Sequence, residues 1–106
     1  MAKQSELEKL TKKIEKKVNK YNDNPYDISC PFYDLDEYVG YIRKELNLTN
    51  KSFIYIFDTS IPNYMDDFYR TLNSYVGKDI SVQMNQTYTA ICEGDVDLIV
   101  MVITCN

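Results

Sequence analysis

Two segments of this chain are apolar at consecutive positions, which is the pattern of a strand covered on both faces. Within the segment 51–57, residues 53–57 alternate phenylalanine and tyrosine with isoleucine, and residues 98–102 are apolar throughout. A sheet with such strands needs packing layers on both sides. We expect the second of these segments, within a strand at about 96–104, to be central.

Two further strands are predicted at about 79–84 and 87–92, and Glu93-Gly94-Asp95 is typical of a hairpin turn. Three amphipathic helices are predicted elsewhere. The complete prediction is one α+β domain over residues 1–106, in the order α-α-β-α-β-β-β, with three helices against a four-stranded mixed sheet. Residues 1–21 form a basic helix in this prediction, and residues 32–106 form an acidic body.

The helices are predicted from their caps and apolar stripes. Ser5 with Glu8 resembles a capping box, and Asp34 with Glu37 repeats it. Ser60 is expected to cap the third helix and Gly77 to end it, while Asn47 is a C-cap candidate for the second. The three stripes are Leu7, Leu10, Ile14, Val18 and Tyr21; Leu35, Tyr38, Val39, Ile42 and Leu46; and Ile61, Met65, Phe68, Leu72 and Tyr75.

Charge divides the chain into two unequal parts. Residues 1–20 carry seven lysines against three glutamates, and the remainder carries five basic against thirteen acidic residues, for −4 overall. Five of the lysines form a ridge opposite a thin apolar seam: Lys9, Lys12, Lys13, Lys16 and Lys20. That ridge fits a solvated face, or docking on the acidic body of a second copy to give a homodimer through the N-terminal helix. Contact with nucleic acid is a weaker interpretation, since the lysine face has no arginine and no aromatic residue, and contact with a membrane is disfavoured because the opposite stripe has no tryptophan or phenylalanine.

The sequence contains few residues suited to catalysis or metal binding. The chain has no histidine, which excludes Ser-His-Asp and Cys-His catalysis, and its three cysteines lack C-x-x-C spacing. The segment Phe57-Asp58-Thr59-Ser60 resembles the Asp-Thr-Ser/Gly signature of aspartic proteases, but a predicted helix follows it where that family has a turn and more strand. We therefore expect no enzyme, no cofactor and no metal. Without a signal peptide or an apolar run of membrane-spanning length, a cytoplasmic protein is expected.

Carboxylates and tyrosines that lie off the predicted core stripes are the best candidates for binding a partner. Tyrosine buries a large area at low entropic cost, and carboxylates attract a basic surface. The predicted partner-binding residues are Tyr33, Asp34, Asp36, Glu37, Tyr41, Asp66, Asp67 and Tyr69.

These features favour a stoichiometric inhibitor that binds a larger basic protein, such as a nuclease or another nucleic-acid-binding protein. In composition the chain is similar to small inhibitor proteins of bacteria and phages, including nucleic-acid mimics, immunity proteins and anti-CRISPR proteins; a phage-encoded protein of this kind acts in the host cytoplasm. The alternative is a small-ligand or nucleotide-sequestering module. Its anion site would lie at Asp58-Thr59-Ser60, where a helix N-terminus is predicted.

Overall fold

The fold is α+β, as the sequence predicts, but the sheet differs in detail. A computed structural model describes residues 5–91 and 94–106. This part contains three helices, α1 (Glu6–Asp23), α2 (Leu35–Glu45) and α3 (Tyr64–Asn73). Its three strands are β1 (Ser52–Asp58), β2 (Ile80–Ile91) and β3 (Gly94–Cys105). They form one antiparallel sheet in the order β1-β3-β2.

The prediction of four strands in a mixed sheet is therefore wrong. The segments predicted at 79–84 and 87–92 are one strand, because Asn85 and Gln86 between them pair with Val100 and Ile99 in an unbroken ladder. No glycine or proline interrupts this stretch, and two polar side chains do not end a strand whose backbone remains paired. The prediction that the last strand is central is confirmed. Cys92 at the end of the predicted strand and Glu93 of the predicted turn lie outside the described residues, and Gly94 and Asp95 belong to β3.

Helices cover the sheet on both faces, as the consecutively apolar strands require. From β3, Leu98, Val100 and Val102 join the core formed with α1 and α2. The intervening Met101 and Ile103 face the other way and pack with Phe57 beneath α3. This alternation divides the interior into two apolar layers with β3 between them.

α1 is packed far more tightly than its thin apolar seam predicts. Ser5 caps it by accepting a hydrogen bond from the Glu8 N–H at 3.1 Å, as expected. Leu7, Ile14 and Val18 are fully buried against the sheet. Polar contacts to β2 add to the seam: the Leu7 N–H donates to Gln83 Oε1 at 3.0 Å, and the Asn85 amide donates to the buried Thr11 hydroxyl. A threonine and two amides thus complete a helix–sheet contact that the apolar pattern alone underestimates.

The predicted start of α3 is also wrong. The helix begins at Tyr64, not Ser60, because the Asp58 carboxylate accepts hydrogen bonds from the Ser60 N–H at 2.9 Å and its hydroxyl at 2.7 Å. The Ile61 N–H donates to the Asp58 carbonyl at 3.1 Å, which completes a turn. α3 ends at Asn73, and Gly77 lies beyond it with a positive φ of 82°.

Some residues of the predicted core stripes lie at the surface. Leu35, Ile61 and Met65 are exposed, whereas Tyr38 and Ile42 are buried. Phe68, Leu72 and Tyr75 pack against the core layer under α3. Within the described ranges, no helix is long and apolar enough to cross a membrane.

Candidate binding groove

An open groove of about 670 Å³ lies where the N-terminus of α2, the end of β1 and the start of β3 meet. Its floor is apolar and belongs to the core shared by α1 and α2, with Ile56, Val96 and Leu98 as main members. Ile91, half-buried against the same core, also lines the groove, and the other lining residues are polar or exposed: Tyr33, Asp34, Leu35, Asp36, Asp58, Ile61, Gly94 and Asp95. The groove therefore combines four carboxylates with an apolar base.

The predicted capping box positions the α2 side of the groove. The Glu37 N–H donates to Asp34 Oδ1 at 2.8 Å, and the Tyr33 N–H donates to Glu37 Oε2 at 3.3 Å. The carboxylates of Asp34 and Glu37 thereby cap the N-terminus of α2. Asp36 lies between them in the first turn, is exposed, and takes part in no hydrogen bond or ion pair with any other described residue.

Asp58 forms the opposite side of the groove at the end of β1. Its two hydrogen bonds from Ser60 lower the pKa of the carboxyl, so it is ionised at neutral pH. The Ser60 N–H donates to Asp58 and is therefore not free to bind an anion, as the predicted anion site would require. Because no helix begins at Ser60, this segment lacks the helix N-terminus on which the anion-binding alternative depends.

Asp95 is held in place by two side chains. The Tyr88 hydroxyl donates to its carboxylate, and the Asn22 amide donates to Asp95 Oδ2 at 3.3 Å and to the Tyr88 oxygen at 3.1 Å. The hydrogen bond to Asp95 raises the pKa of Tyr88, because ionising the phenol would remove its donor proton. This cluster also ties the end of α1 to the start of β3.

The groove gathers only some of the predicted partner-binding residues. Tyr33, Asp34 and Asp36 line it, and Tyr33 is 72% exposed. Glu37 is next to it but serves in the cap. Tyr41 is half-buried and packs edge-on against Phe32, with ring centroids 5.4 Å apart.

The three predicted residues on α3 lie on the other side of the sheet. Asp66, Asp67 and Tyr69 are exposed, and α3 packs on the layer opposite to α1 and α2. Asp67 forms an ion pair with Arg70 at 3.4 Å. The eight predicted residues therefore belong to two surfaces with the sheet between them.

Nine of the twelve residues that line the groove were not among the predicted partner-binding residues, and four of the nine carry exposed apolar side chains or carboxylates. Leu35 and Ile61 were assigned to core stripes, yet they are 45% and 52% exposed beside the carboxylates. Asp58 and Asp95 are separated by 37 positions in sequence, and only the pairing of β1 with β3 brings their strand ends together. The available signal was weak: each is a carboxylate at the end of an apolar strand.

In the described ranges, no group of three or more histidine, cysteine, aspartate or glutamate residues is arranged to hold an ion. Cys30 and Cys105 are free thiols there, and the Cys30 thiol donates to the Phe32 carbonyl at 3.2 Å.

Comparison with known proteins adds no assignment. No protein-family model matches the chain, and neither the curated proteins nor the solved structures include a significant match.

Proposed function

We propose that this protein is a stoichiometric binding protein whose groove receives a basic segment of a larger protein. The observation that carries the proposal is the presence of two large exposed apolar side chains, Leu35 and Ile61, on a groove that four carboxylates surround. Exposed apolar surface bordered by polar groups is typical of an interaction site.

The chemistry of the groove suits lysine or arginine side chains. Their aliphatic stems would lie on Leu35, Ile56 and Val96, and their charged ends would meet the carboxylates of the rim. Asp36 supports this best, because no described group already pairs with its carboxylate. Tyr33 projects at the entrance and supplies the aromatic contact common at the centre of protein interfaces.

The partner class follows from charge. Residues 21–106 carry thirteen acidic against five basic residues, so the body attracts a basic surface and speeds association. A nuclease or another nucleic-acid-handling protein offers such a surface where it would otherwise bind phosphates. We place the protein among inhibitors of the immunity-protein or phage anti-defence kind, acting in the cytoplasm. Of the predicted residues, the proposal rests on Tyr33, Asp34 and Asp36.

A pair of charge reversals tests this proposal. Asp36 and Asp66 are both exposed and lie in the first turns of α2 and α3, so Asp36→Lys and Asp66→Lys change net charge and helix electrostatics alike. The partner would be captured from a bacterial lysate, identified by mass, and titrated with each variant at two salt concentrations. We expect Asp36→Lys to weaken binding at least ~10-fold and Asp66→Lys about 2-fold or less. Equal effects of the two reversals would show that net charge, not the groove, determines binding.

A second pair tests the aromatic contact. Tyr33 lines the groove, whereas Tyr26 is fully exposed and does not. We expect Tyr33→Ala to weaken binding of the captured partner by roughly 10-fold or more and Tyr26→Ala to have no effect.

Thermal unfolding with nucleoside phosphates tests the ligand-binding alternative. A clear rise in unfolding temperature would contradict the proposal, because carboxylates at the groove repel anions.

A further inference from the structure

We propose that the outer edge of β2 pairs with the same edge of a second copy of this chain, joining the two sheets about a two-fold axis at Gln83. This dimer uses a different surface from the predicted one, which is the lysine ridge of the N-terminal helix docked on the acidic body of a second copy. It is also independent of the groove.

The hydrogen-bond pattern shows which backbone groups point to the open edge. The Asn106 N–H donates to the Asp79 carbonyl at 3.0 Å, which continues the β2–β3 ladder. In an antiparallel pair, every second residue of a strand forms hydrogen bonds with the partner strand. Residues 81, 83 and 85 are therefore bonded to β3. The backbone N–H and C=O groups that point to the open edge are those of Ile80, Val82, Met84 and Gln86. No hydrogen bond from another described residue reaches those groups.

The opposite edge of the sheet, at β1, is shorter and closed at both ends. The Ser52 carbonyl accepts from Arg43 Nη2 at 3.0 Å, and the Ser52 N–H donates to the Thr49 carbonyl at 3.1 Å. At the other end, the Asp58 carbonyl is bonded to the Ile61 N–H. The edge of β2 carries an isolated bridge between Ile91 and Phe32 near one end and is open over residues 80–86, so it is the edge suited to pairing.

The composition of this edge favours pairing rather than preventing it. Residues 80–86, Ile-Ser-Val-Gln-Met-Asn-Gln, contain no charge and no proline. Soluble proteins commonly protect an exposed strand edge with charged residues or proline. A strand edge without charged residues and proline therefore indicates a strand that is paired. Val82 and Met84 are 47% and 52% exposed, whereas Ile80 at the start of β2 packs on the apolar layer under α3.

The segment is complementary to itself. With the axis at Gln83, Val82 of one copy lies opposite Met84 of the second copy, and Ser81 lies opposite Asn85. Apolar side chains thus meet apolar ones and polar side chains meet polar ones. The same register brings the Lys78 end of one strand to the Tyr88 end of the other, where Asp97 lies on the neighbouring strand, so opposite charges meet at both ends.

The helices leave room for this pairing. α1 starts over Gln83, whose side chain accepts a hydrogen bond from the Leu7 N–H. One turn later, Thr11 contacts Asn85, so α1 runs in the same direction as β2. The two-fold axis reverses that direction in the second copy. The described parts of the two helices therefore extend away from the axis rather than across each other's edge.

Sedimentation over a dilution series measures the dimer directly, with the full chain. We expect the unmodified chain to dimerise and Met84→Lys to raise the dissociation constant at least ~10-fold, since two added charges replace apolar contacts at the axis. Val76→Lys is the matched control: Val76 is 77% exposed but outside the edge, and its variant should dimerise as the unmodified chain does. Circular dichroism checks that each variant is folded. A chain that stays monomeric at every concentration, or equal effects of the two lysines, would overturn the proposal.

Cross-linking tests the register without weakening the dimer. Val82→Cys and Met84→Cys place thiols opposite each other only when the two variants are mixed, because a disulfide needs Cα atoms within roughly 7 Å. Under mild oxidation the mixture should give more covalent dimer than either variant alone or the unmodified chain, which sets the background of the native cysteines. Equal yields from the mixture and the separate variants would contradict this register and the proposed pairing.

Discussion

Lys17 and Tyr41 join the first two helices. The Lys17 ammonium lies 4.7 Å from the centre of the Tyr41 ring and donates a hydrogen bond of 3.0 Å to its hydroxyl. One lysine of α1 and one tyrosine of the predicted partner surface thus contact each other within the chain. Tyr41 therefore has a structural role that can be separated from any role in binding.

Removing the Tyr41 ring should destabilise the protein more than removing its hydroxyl. Tyr41→Ala loses the contacts with Phe32 and Lys17, and we expect a loss of about 1–3 kcal/mol in the free energy of unfolding. Tyr41→Phe keeps the ring and should cost below about 1 kcal/mol. Urea unfolding followed by circular dichroism measures both. Equal losses would mean that the hydroxyl, not the ring, makes the contact between the helices.

The tight packing of α1 predicts a large cost for a cavity beneath it. Ile14 is fully buried, so Ile14→Ala should lower the free energy of unfolding by about 2–5 kcal/mol. Lys16→Ala on the exposed face should change it by less than about 0.5 kcal/mol. Thermal unfolding of both variants provides the measurement. A small loss for Ile14→Ala would instead support a helix that packs lightly on the body.

Asn47 occupies a backbone conformation that few residues tolerate. Its φ is 51°, and the bonds Asn47 N–H to Lys44 C=O at 3.2 Å and Leu48 N–H to Arg43 C=O at 3.0 Å form a Schellman motif that ends α2. Asn47→Gly should be neutral or slightly stabilising, whereas Asn47→Val should cost about 1–3 kcal/mol in backbone strain. Asn50→Val is the control, since Asn50 has no positive φ. Similar results for both valine variants in urea unfolding would refute the strain argument.

Stability should fall in alkaline solution because neutral tyrosines are favoured in the folded state. Burial raises the pKa of Tyr38 from 10.0 to about 12, and the hydrogen bond with Tyr55 raises that of Tyr75 to about 12. A folded-state pKa above the unfolded value contributes stability that is complete below pH 10 and is lost as the pH rises towards 12. Tyr38→Phe should reduce this loss, and Tyr26→Phe, at a fully exposed position, should not. Unfolding free energies across this pH range test it; identical curves would contradict it.

Local sequence signals predicted several elements well. Ser5 and Asp34 cap α1 and α2 as expected, because capping depends on residues within one turn of each other. The consecutive apolar residues of β1 and β3 likewise correctly indicated a sheet covered on both faces. The predicted start of α3 at Ser60 was wrong because Ser60 belongs to a turn instead. Its N–H and hydroxyl donate to the Asp58 carboxylate, so its side chain does not cap a helix.

The candidate site was predictable only in part. The residues before and within the first turn of α2 were identified, since an exposed tyrosine and carboxylates can be read from local sequence. Leu35 and Ile61 were assigned to the core because a helical stripe does not show where the helix begins or how far its neighbour extends. The two proposed surfaces also depend on which strands are at the edges, and strand order has no local signal.

By itself, the sequence determined the α+β class, the limits of α1 and α2 within a few residues, and the central position of the last strand. These follow from periodicity and capping, which act between residues close in the chain. Only the tertiary structure decided that Asp36, Asp58 and Asp95 share one groove while Asp66 and Asp67 lie behind the sheet. The reason is physical: strand pairing and helix placement set distances between residues far apart in sequence, and these depend on packing of the whole chain.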